Sequence, residues 1–335
     1  MSRKIRLGIP SKGRLEEDCL NFLQDCDLKI TKSNPRLYIA RMATLPQVEV
    51  WFQRPTDIVR QVRDGVLDLG IAGYDTLAEH QGQADEIIVI HEALGFGGCS
   101  LEVIVPQTWI DINHIQDLAD LALSRAPVKP LRVISKYERL TTRFLADHGV
   151  TAFRHLHADG ALEAAPKMGT ADFIVDVVQT GLTLRENHLK TLQEGQILQS
   201  DSCFFAHRAT LKRDVEALAV TRQMLELFEA HLRAEGHYNL IANMRGHSAE
   251  SVARKLHQYP NLAGLQGPTI SPVYPKNPGQ NGWYALSIMV KKARLHTAIQ
   301  QLRDIGGSGV VVLPATFIFE EEPERWQRLQ QTLEL

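Results

Sequence analysis

The sequence predicts an α/β protein that closes with a separate βαββαβ unit of ferredoxin-like order. Three observations carry that prediction. Short apolar runs alternate with helix-period segments through the first two thirds of the 335 residues, a single longer amphipathic segment follows, and the pattern then changes to strand, helix, two strands, helix, strand. At about 150 residues per domain, a chain of this length makes two to three domains, each able to bury its own core. The composition, 44% hydrophobic, 23% charged and 7% aromatic, excludes the disordered, collagen-like and disulfide-dense classes.

The strand candidates are 5–9, 48–52, 68–72, 87–90, 101–106, 131–135 and 173–178. Between them lie helix candidates at 11–23, at 56–63 before Gly65, and at 141–148 before Gly149, where a glycine supplies the left-handed stop. This alternation implies parallel sheets covered by helices. Residues 211–236 read as one helix with Leu211, Val215, Leu218, Leu225, Phe228 and Leu232 on one face and Gly236 as its stop. After it come a strand at 238–244, a helix at 249–258, strands at 269–274 and 283–290 joined by a loop at 275–282, a helix at 295–305 and a strand at 310–313.

Lys plus Arg total 37 against 39 Asp plus Glu, so no basic excess points to nucleic acid, while small anionic ligands stay open. No apolar run approaches the ~20 residues that span a bilayer, so no membrane segment is expected. The N-terminus passes from two basic residues directly into a strand pattern without an apolar signal region, which predicts a cytoplasmic location. Cys19, Cys26, Cys99 and Cys203 contain no Cys-x-x-Cys pair and read as reduced thiols, and no dedicated metal site is expected. His155 and His157 alternate along a strand without a third ligand and read as surface histidines. Gly95-Phe96-Gly97-Gly98-Cys99 reads as a hinge between lobes.

The segment 163–189 is the most informative. An apolar strand carrying Asp172 and Asp176 runs into Thr180-Gly181-Leu182-Thr183-Leu184, a turn that offers backbone N–H groups and two hydroxyls before a helix. Glycine lets the backbone approach a phosphate closely, and the upstream carboxylates suit ribose hydroxyls. By itself, strand-Thr-Gly-x-Thr fits both a capped turn and an anion cradle. A second basic turn follows the first strand, where Pro10-Ser11-Lys12-Gly13-Arg14 leads into a helix; it fits either an anion site or a solvated turn. Arg36, after Pro35, sits in a polar turn.

The loop at 180–184 resembles the phosphoribosyl-diphosphate loop of phosphoribosyltransferases. The fuller string, Glu163, Gly169, Ala171, Ile174, Asp176, Thr180-Gly181 and Thr183-Leu184, resembles the signature of the ATP phosphoribosyltransferase family. Residues 9–15, 34–38, 53–58 and 68–75 are similar to further blocks of that family, and Gly267-Pro268-Thr269-Ile270-Ser271-Pro272 is similar to the regulatory domain of its long form. The resemblance covers nearly the whole chain. Thr170, Phe173 and His188 depart from it, standing where Leu, Ala and Gly are expected.

The resemblance implies a two-lobed catalytic region like type II periplasmic binding proteins, with lobe I at 1–95 and 189–225, lobe II at 96–188, and a regulatory ferredoxin-like domain at 237–335. It implies transfer of 5-phosphoribosyl from phosphoribosyl diphosphate to N1 of ATP, with Mg²⁺ carried on substrate phosphates. Thr180, Gly181, Leu182, Thr183 and Leu184 would hold the 5-phosphate, and Glu163 and Asp176 the ribose. Lys12, Arg14 and Arg36 would neutralise the departing diphosphate, with Gly73 and Asp75 near the nucleotide. L-histidine would bind at Thr269 with Gly306, Gly307 and Ser308, and the chain would assemble as dimers and hexamers. The alternatives are a phosphoribosyltransferase for a free base and a non-catalytic two-lobed binding protein.

Overall fold

The computed structural model describes residues 3–32, 34, 37–82, 85–158, 160–274 and 282–334. Two compact units result, one formed by residues 1–225 with 324–335 and the other by residues 226–323.

The first unit holds two sheets. In the larger, the spatial order is Ile30–Thr31, Ile39–Met42, Val48–Gln53, Ile5–Pro10, Leu69–Gly73, Ser202–His207 and Ile87–His91. Ile5–Pro10 pairs in parallel with Val48–Gln53 on one side and Leu69–Gly73 on the other, so the chain reverses its direction of winding at this strand. Both faces of that strand are covered: Leu7 and Ile9 on one face are fully buried, and Gly8 on the other is packed against Leu67 and Ile58. Helix Pro55–Arg63 lies so close that a Cβ on Gly8 would come 3.0 Å from Ile58 Cγ2.

The second sheet runs Leu189–Ser200, Cys99–Pro106, Phe173–Val178, Leu131–Ile134, Phe153–Leu156. Its core joins Leu101, Val103, Leu118, Val133, Phe173 and Val175. Residues 189–200 were expected in lobe I. They instead pair antiparallel with Cys99–Pro106, from Leu189 opposite Pro106 to Ser200 opposite Cys99, so ladder hydrogen bonds hold them in the second sheet. The chain therefore crosses between sheets at 92–98 and again at Asp201. The two crossings are bonded to each other: Leu94 N–H donates to the Ser202 carbonyl at 2.8 Å and Gly95 N–H to Asp201 Oδ1 at 3.0 Å.

The long helix expected at 211–236 is two helices, Arg208–Arg213 and Val215–Ala234. Asp214 makes the break, because its carboxylate accepts the N–H groups of Glu216 and Ala217 and so caps the second helix. Gly236, at φ 68°, ends it as anticipated.

The second unit has the expected βαββαβ order: His237–Arg245, Ala249–Leu256, Thr269–Pro272, Trp283–Lys291, Leu295–Asp304 and Gly307–Pro314. Its four strands lie in the order Thr269–Pro272, Trp283–Lys291, His237–Arg245, Gly307–Pro314, all antiparallel. Alternate residues Leu240, Ala242 and Met244, with Leu286, Ile288 and Val290, face the helices and meet Val252, Leu256, Ala298 and Leu302. Helix Glu324–Leu333, grouped by its sequence position with this unit, belongs to the first: Arg208 donates to the Thr332 carbonyl, and Arg325 and Arg328 bind Glu92 at 2.7 and 2.6 Å. Among the described residues no helix is long and apolar enough to cross a membrane.

Candidate active site

Two hollows in the first unit gather the residues of interest. The smaller, about 200 Å³, is the cradle: Glu163, Asp176, Thr180, Gly181, Thr183 and Leu184 line it together. Strand Phe173–Val178 delivers Asp176, and Gly181 at φ 69° turns the chain into the short helix Leu182–Glu186. A Cβ built on Gly181 meets nothing within 4 Å, so the space before this turn is open to a ligand. Leu182 lies outside the lining and is exposed. Burial raises the Asp176 carboxyl above its ordinary range, with Glu163 and Asp75 adding to the shift, against the opposing pull of the Lys136 ammonium and the Val177 N–H. Asp172 does not join the cradle. It accepts from Arg132 Nε and Nη2, both at 3.1 Å, and from the Arg132 N–H at 2.8 Å, which hold its carboxyl below the usual range despite the opposing effect of burial.

The larger hollow, about 640 Å³, is a cleft with cationic walls: Lys12, Arg54, Arg60 and Lys136, against the single carboxylate Asp57. Its floor follows from topology. Strands Ile5–Pro10 and Val48–Gln53 end side by side, Pro10 opposite Gln53, and each runs straight into a helix, Gly13–Asp25 and Pro55–Arg63. The residues at the two helix starts are Lys12 and Arg54, and neither helix has a side-chain cap. Two uncapped N-termini, each headed by a cation, therefore stand at the carboxyl ends of adjacent parallel strands where the winding reverses, which is the general location of anionic ligands in such sheets.

Arg14 was expected to point with Lys12 at one anion. Its helix begins at Gly13, so Arg14 rides the first turn, 78% exposed, and meets Asp18 at 3.5 Å. Arg36 lies outside the described residues. His157 is exposed, as a surface histidine should be, and it lines the cleft because it directly follows the strand Phe153–Leu156, which ends at the rim. Asp75 lines neither hollow: its carboxylate accepts from the hydroxyls of Tyr137, Ser200 and Thr76, and it is 7% exposed. A Cβ on Gly73 would collide with that carboxylate. Arg54, Arg60 and Lys136 were not singled out by sequence; only the first lies within one of the family-like blocks, 53–58. Burial, together with the Asp75 charge, pushes the Cys99 thiol up to about 11, so it stays protonated at neutral pH.

Comparison with known proteins adds the deciding observation. The family described as ATP phosphoribosyltransferase matches residues 54–230, and the HisG C-terminal domain matches residues 234–316. The chain is 45% identical over 334 residues to ATP phosphoribosyltransferase 1, chloroplastic, of Arabidopsis thaliana, covering 98% of this chain and 81% of that protein. It is 32% identical over 336 residues to the ATP phosphoribosyltransferase of Rhodopseudomonas palustris, covering 99% of both. The chain belongs to the ATP phosphoribosyltransferase family. A solved structure, the ATP phosphoribosyl transferase (HisG:HisZ) complex from Thermotoga maritima, shares the fold at a TM-score of 0.51 and 22% identity, over 67% of this chain and 98% of that one.

With its C-terminal domain the chain is a long-form ATP phosphoribosyltransferase, an enzyme of the first step of histidine biosynthesis. The three departures from the family pattern have physical settings. Phe173 fills the second-lobe core, fully buried, and the Thr170 hydroxyl donates to the Ala165 carbonyl at 3.2 Å. His188 stands at φ 55°, a backbone conformation that favours the family's glycine.

In the C-terminal unit the expected histidine contacts do not converge. Thr269 begins one edge strand and Ser308 lies in the opposite edge strand, with two strands between them. At the ~4.8 Å spacing of strands they are about 14 Å apart, more than one free amino acid reaches within one chain. Gly306 and Gly307 serve the turn between helix and strand: Gly306 has φ 91°, and a Cβ on Gly307 would lie 2.6 Å from the Leu302 carbonyl oxygen.

Proposed function

We propose that the cradle holds the 5-phosphate and ribose of phosphoribosyl diphosphate, and that the cationic cleft holds the diphosphate and the ATP triphosphate. The pair of uncapped helix starts headed by Lys12 and Arg54 carries this reading. The first-turn N–H groups after Gly181 and the hydroxyls of Thr180 and Thr183 meet the phosphate, and Glu163 and Asp176 accept from the ribose hydroxyls. Adenine N1 attacks the anomeric carbon with its own lone pair as the carbon–oxygen bond to diphosphate breaks, so no general base is required. The work left to the protein is positioning and stabilisation of the leaving charge by Lys12, Arg54, Arg60 and Lys136. Arg14 belongs to the same group, since an exposed i,i+4 pair of the kind it makes with Asp18 is worth only about 0.2–0.5 kcal/mol and releases it readily. Arg36 joins them by family resemblance.

Glu163 and Asp176 are hard oxygen donors of the kind that Mg²⁺ accepts one or two of, and among the described residues no cluster of three ligating side chains stands ready for a resident metal. The two carboxylates suit an ion brought on substrate oxygens, where it would neutralise phosphate charge. L-histidine binding to the C-terminal unit restrains the reaction, and the chain works as a homo-oligomer; the exposed Val311 and Leu313 of its sheet suit such contacts. The test mixes the full chain with ATP, phosphoribosyl diphosphate and Mg²⁺. One diphosphate released per new adenine chromophore is expected; consumption of a free base in place of ATP overturns the reading. Titrating L-histidine into the same assay tests the restraint, and wild-type turnover at saturation refutes it.

A further inference from the structure

Helix Tyr74–His80 carries Asp75 and Glu79 one turn apart, so both carboxylates face the same way, and both are buried. Each is spent on the start of one helix of the second lobe, Glu138–Asp147. Glu79 accepts the N–H groups of Arg139 at 2.8 Å and Leu140 at 3.0 Å, supplying the side-chain cap that this helix lacks from its own N-terminal residue, Tyr137. Asp75 accepts from the hydroxyl of Tyr137, the residue preceding that helix, and from Ser200 Oγ at 2.8 Å on the strand that leads back across the lobes; its N–H donates to Ser200 Oγ at 2.9 Å. Tyr137 is 2% exposed, and burial with the Asp75 charge beside it drives its pKa far up, so it stays a donor at any working pH.

Tyr137 is preceded by Lys136, the one described cation that lines the cleft and also acts on Asp176 in the cradle. The Lys136 ammonium sits 4.8 Å from the Tyr137 ring centroid, a cation–π contact through which a shift of the ring would act on the ammonium. We propose that Asp75 and Tyr137 are a positioning pair that ties the two lobes together and sets Lys136 between cradle and cleft; the Tyr137 side chain reaches the cleft lining, but its hydroxyl is spent on Asp75. Asp75 is thereby removed from nucleotide contact, since its carboxylate is buried and already accepts three hydroxyls. The inference rests on the two-subsite reading above.

The experiment measures kcat, both KM values, phosphoribosyl-diphosphate affinity by calorimetry and thermal unfolding for full-length Tyr137→Phe, Asp75→Asn and the double variant. A misplaced catalytic group costs up to ~100-fold, so each single change is expected to lower kcat by about tenfold or more while diphosphate-sugar affinity moves less than about threefold. The double variant should fall no further than the worse single one, as for residues acting as a unit. Should Asp75→Asn fail to fold, Tyr137→Phe on a Lys136→Met background replaces it, and there the tyrosine change should cost nothing more. Wild-type kcat in Tyr137→Phe, losses that multiply in the double variant, or a fall in affinity and melting temperature matching the fall in kcat each overturn the pair. A wild-type chain that makes no product from ATP overturns the functional reading and the pair with it, whereas wild-type turnover with an unaffected Tyr137→Phe overturns the pair alone.

Discussion

The cradle at 176–184 and the cleft around Lys12 and Arg54 both suit phosphate, yet their lining charges are opposite. Glu163 and Asp176 make the cradle acidic, and what it offers a phosphate is backbone N–H and hydroxyl groups. The cleft offers four cations against one carboxylate. A monoester phosphate that is carried through the reaction unchanged needs only to be held, and dipoles at fixed distance do that without over-binding. A leaving diphosphate gains charge as its bond breaks, and full positive charges act most strongly on the state where that charge is greatest. On the proposed reading, the difference separates a region that binds from one that catalyses.

The largest effect should come from breaking the catalytic side. Arg54→Ala and Lys12→Ala are expected to lower kcat by about 100-fold, in the range of removing one preorganised charge, with a smaller change in phosphoribosyl-diphosphate affinity. Steady-state kinetics beside calorimetry check this, and an affinity loss without a kcat loss would make the cleft a binding region as well.

Next is Gly181→Val, which puts a side chain into the open space before the turn. Calorimetry should show phosphoribosyl-diphosphate affinity reduced by about tenfold or more, and circular dichroism an intact fold with a modest loss of stability, since a side chain at φ 69° costs about 1–2 kcal/mol. Wild-type affinity in the folded variant would detach the phosphate from the cradle.

A smaller, pH-dependent effect belongs to Asp176. Burial raises its carboxyl, so it takes up a proton at a higher pH than an ordinary aspartate. The ionised form is the one that accepts from ribose hydroxyls, so affinity should be full above the raised value and fall as pH drops through it. Asp176→Asn should bind more weakly at neutral pH and lose this acid limb; an unchanged limb would assign it to another group.

The smallest concerns His188, just beyond the cradle helix. His188→Gly relieves the left-handed strain but adds freedom to the unfolded chain, so a net gain of about 0.5–1 kcal/mol is expected, visible in denaturant titration. Reduced stability would mean that the imidazole makes contacts worth more than the strain.

The cradle was legible because its residues are contiguous: a strand, a glycine in the left-handed region and the following helical turn occur within 173–186, and local backbone preference dictates all three. For the same reason the βαββαβ order, the stop at Gly236 and the covered parallel strand followed from pattern alone. The cleft was not legible. Lys12, Arg54, Arg60 and Lys136 come from segments up to 124 residues apart, and each alone is a charged residue near the end of a strand or on a helix. Only the parallel pairing of Ile5–Pro10 with Val48–Gln53 sets two of those cations side by side. Asp75 shows the same limit from the other direction. Its motif suggested a ligand, but the packing of helix Tyr74–His80 against the second lobe buries the carboxylate and fills it with hydroxyl donors, because a buried charge left unpaired is costly. Strand order likewise decided Thr269 and Ser308, each at or near the start of a strand yet on opposite sheet edges. What is local in sequence is set by dihedral preference and hydrophobic period; what joins distant segments is set by which strands pair, and hydrogen bonds between backbones carry no mark of the side chains they bring together.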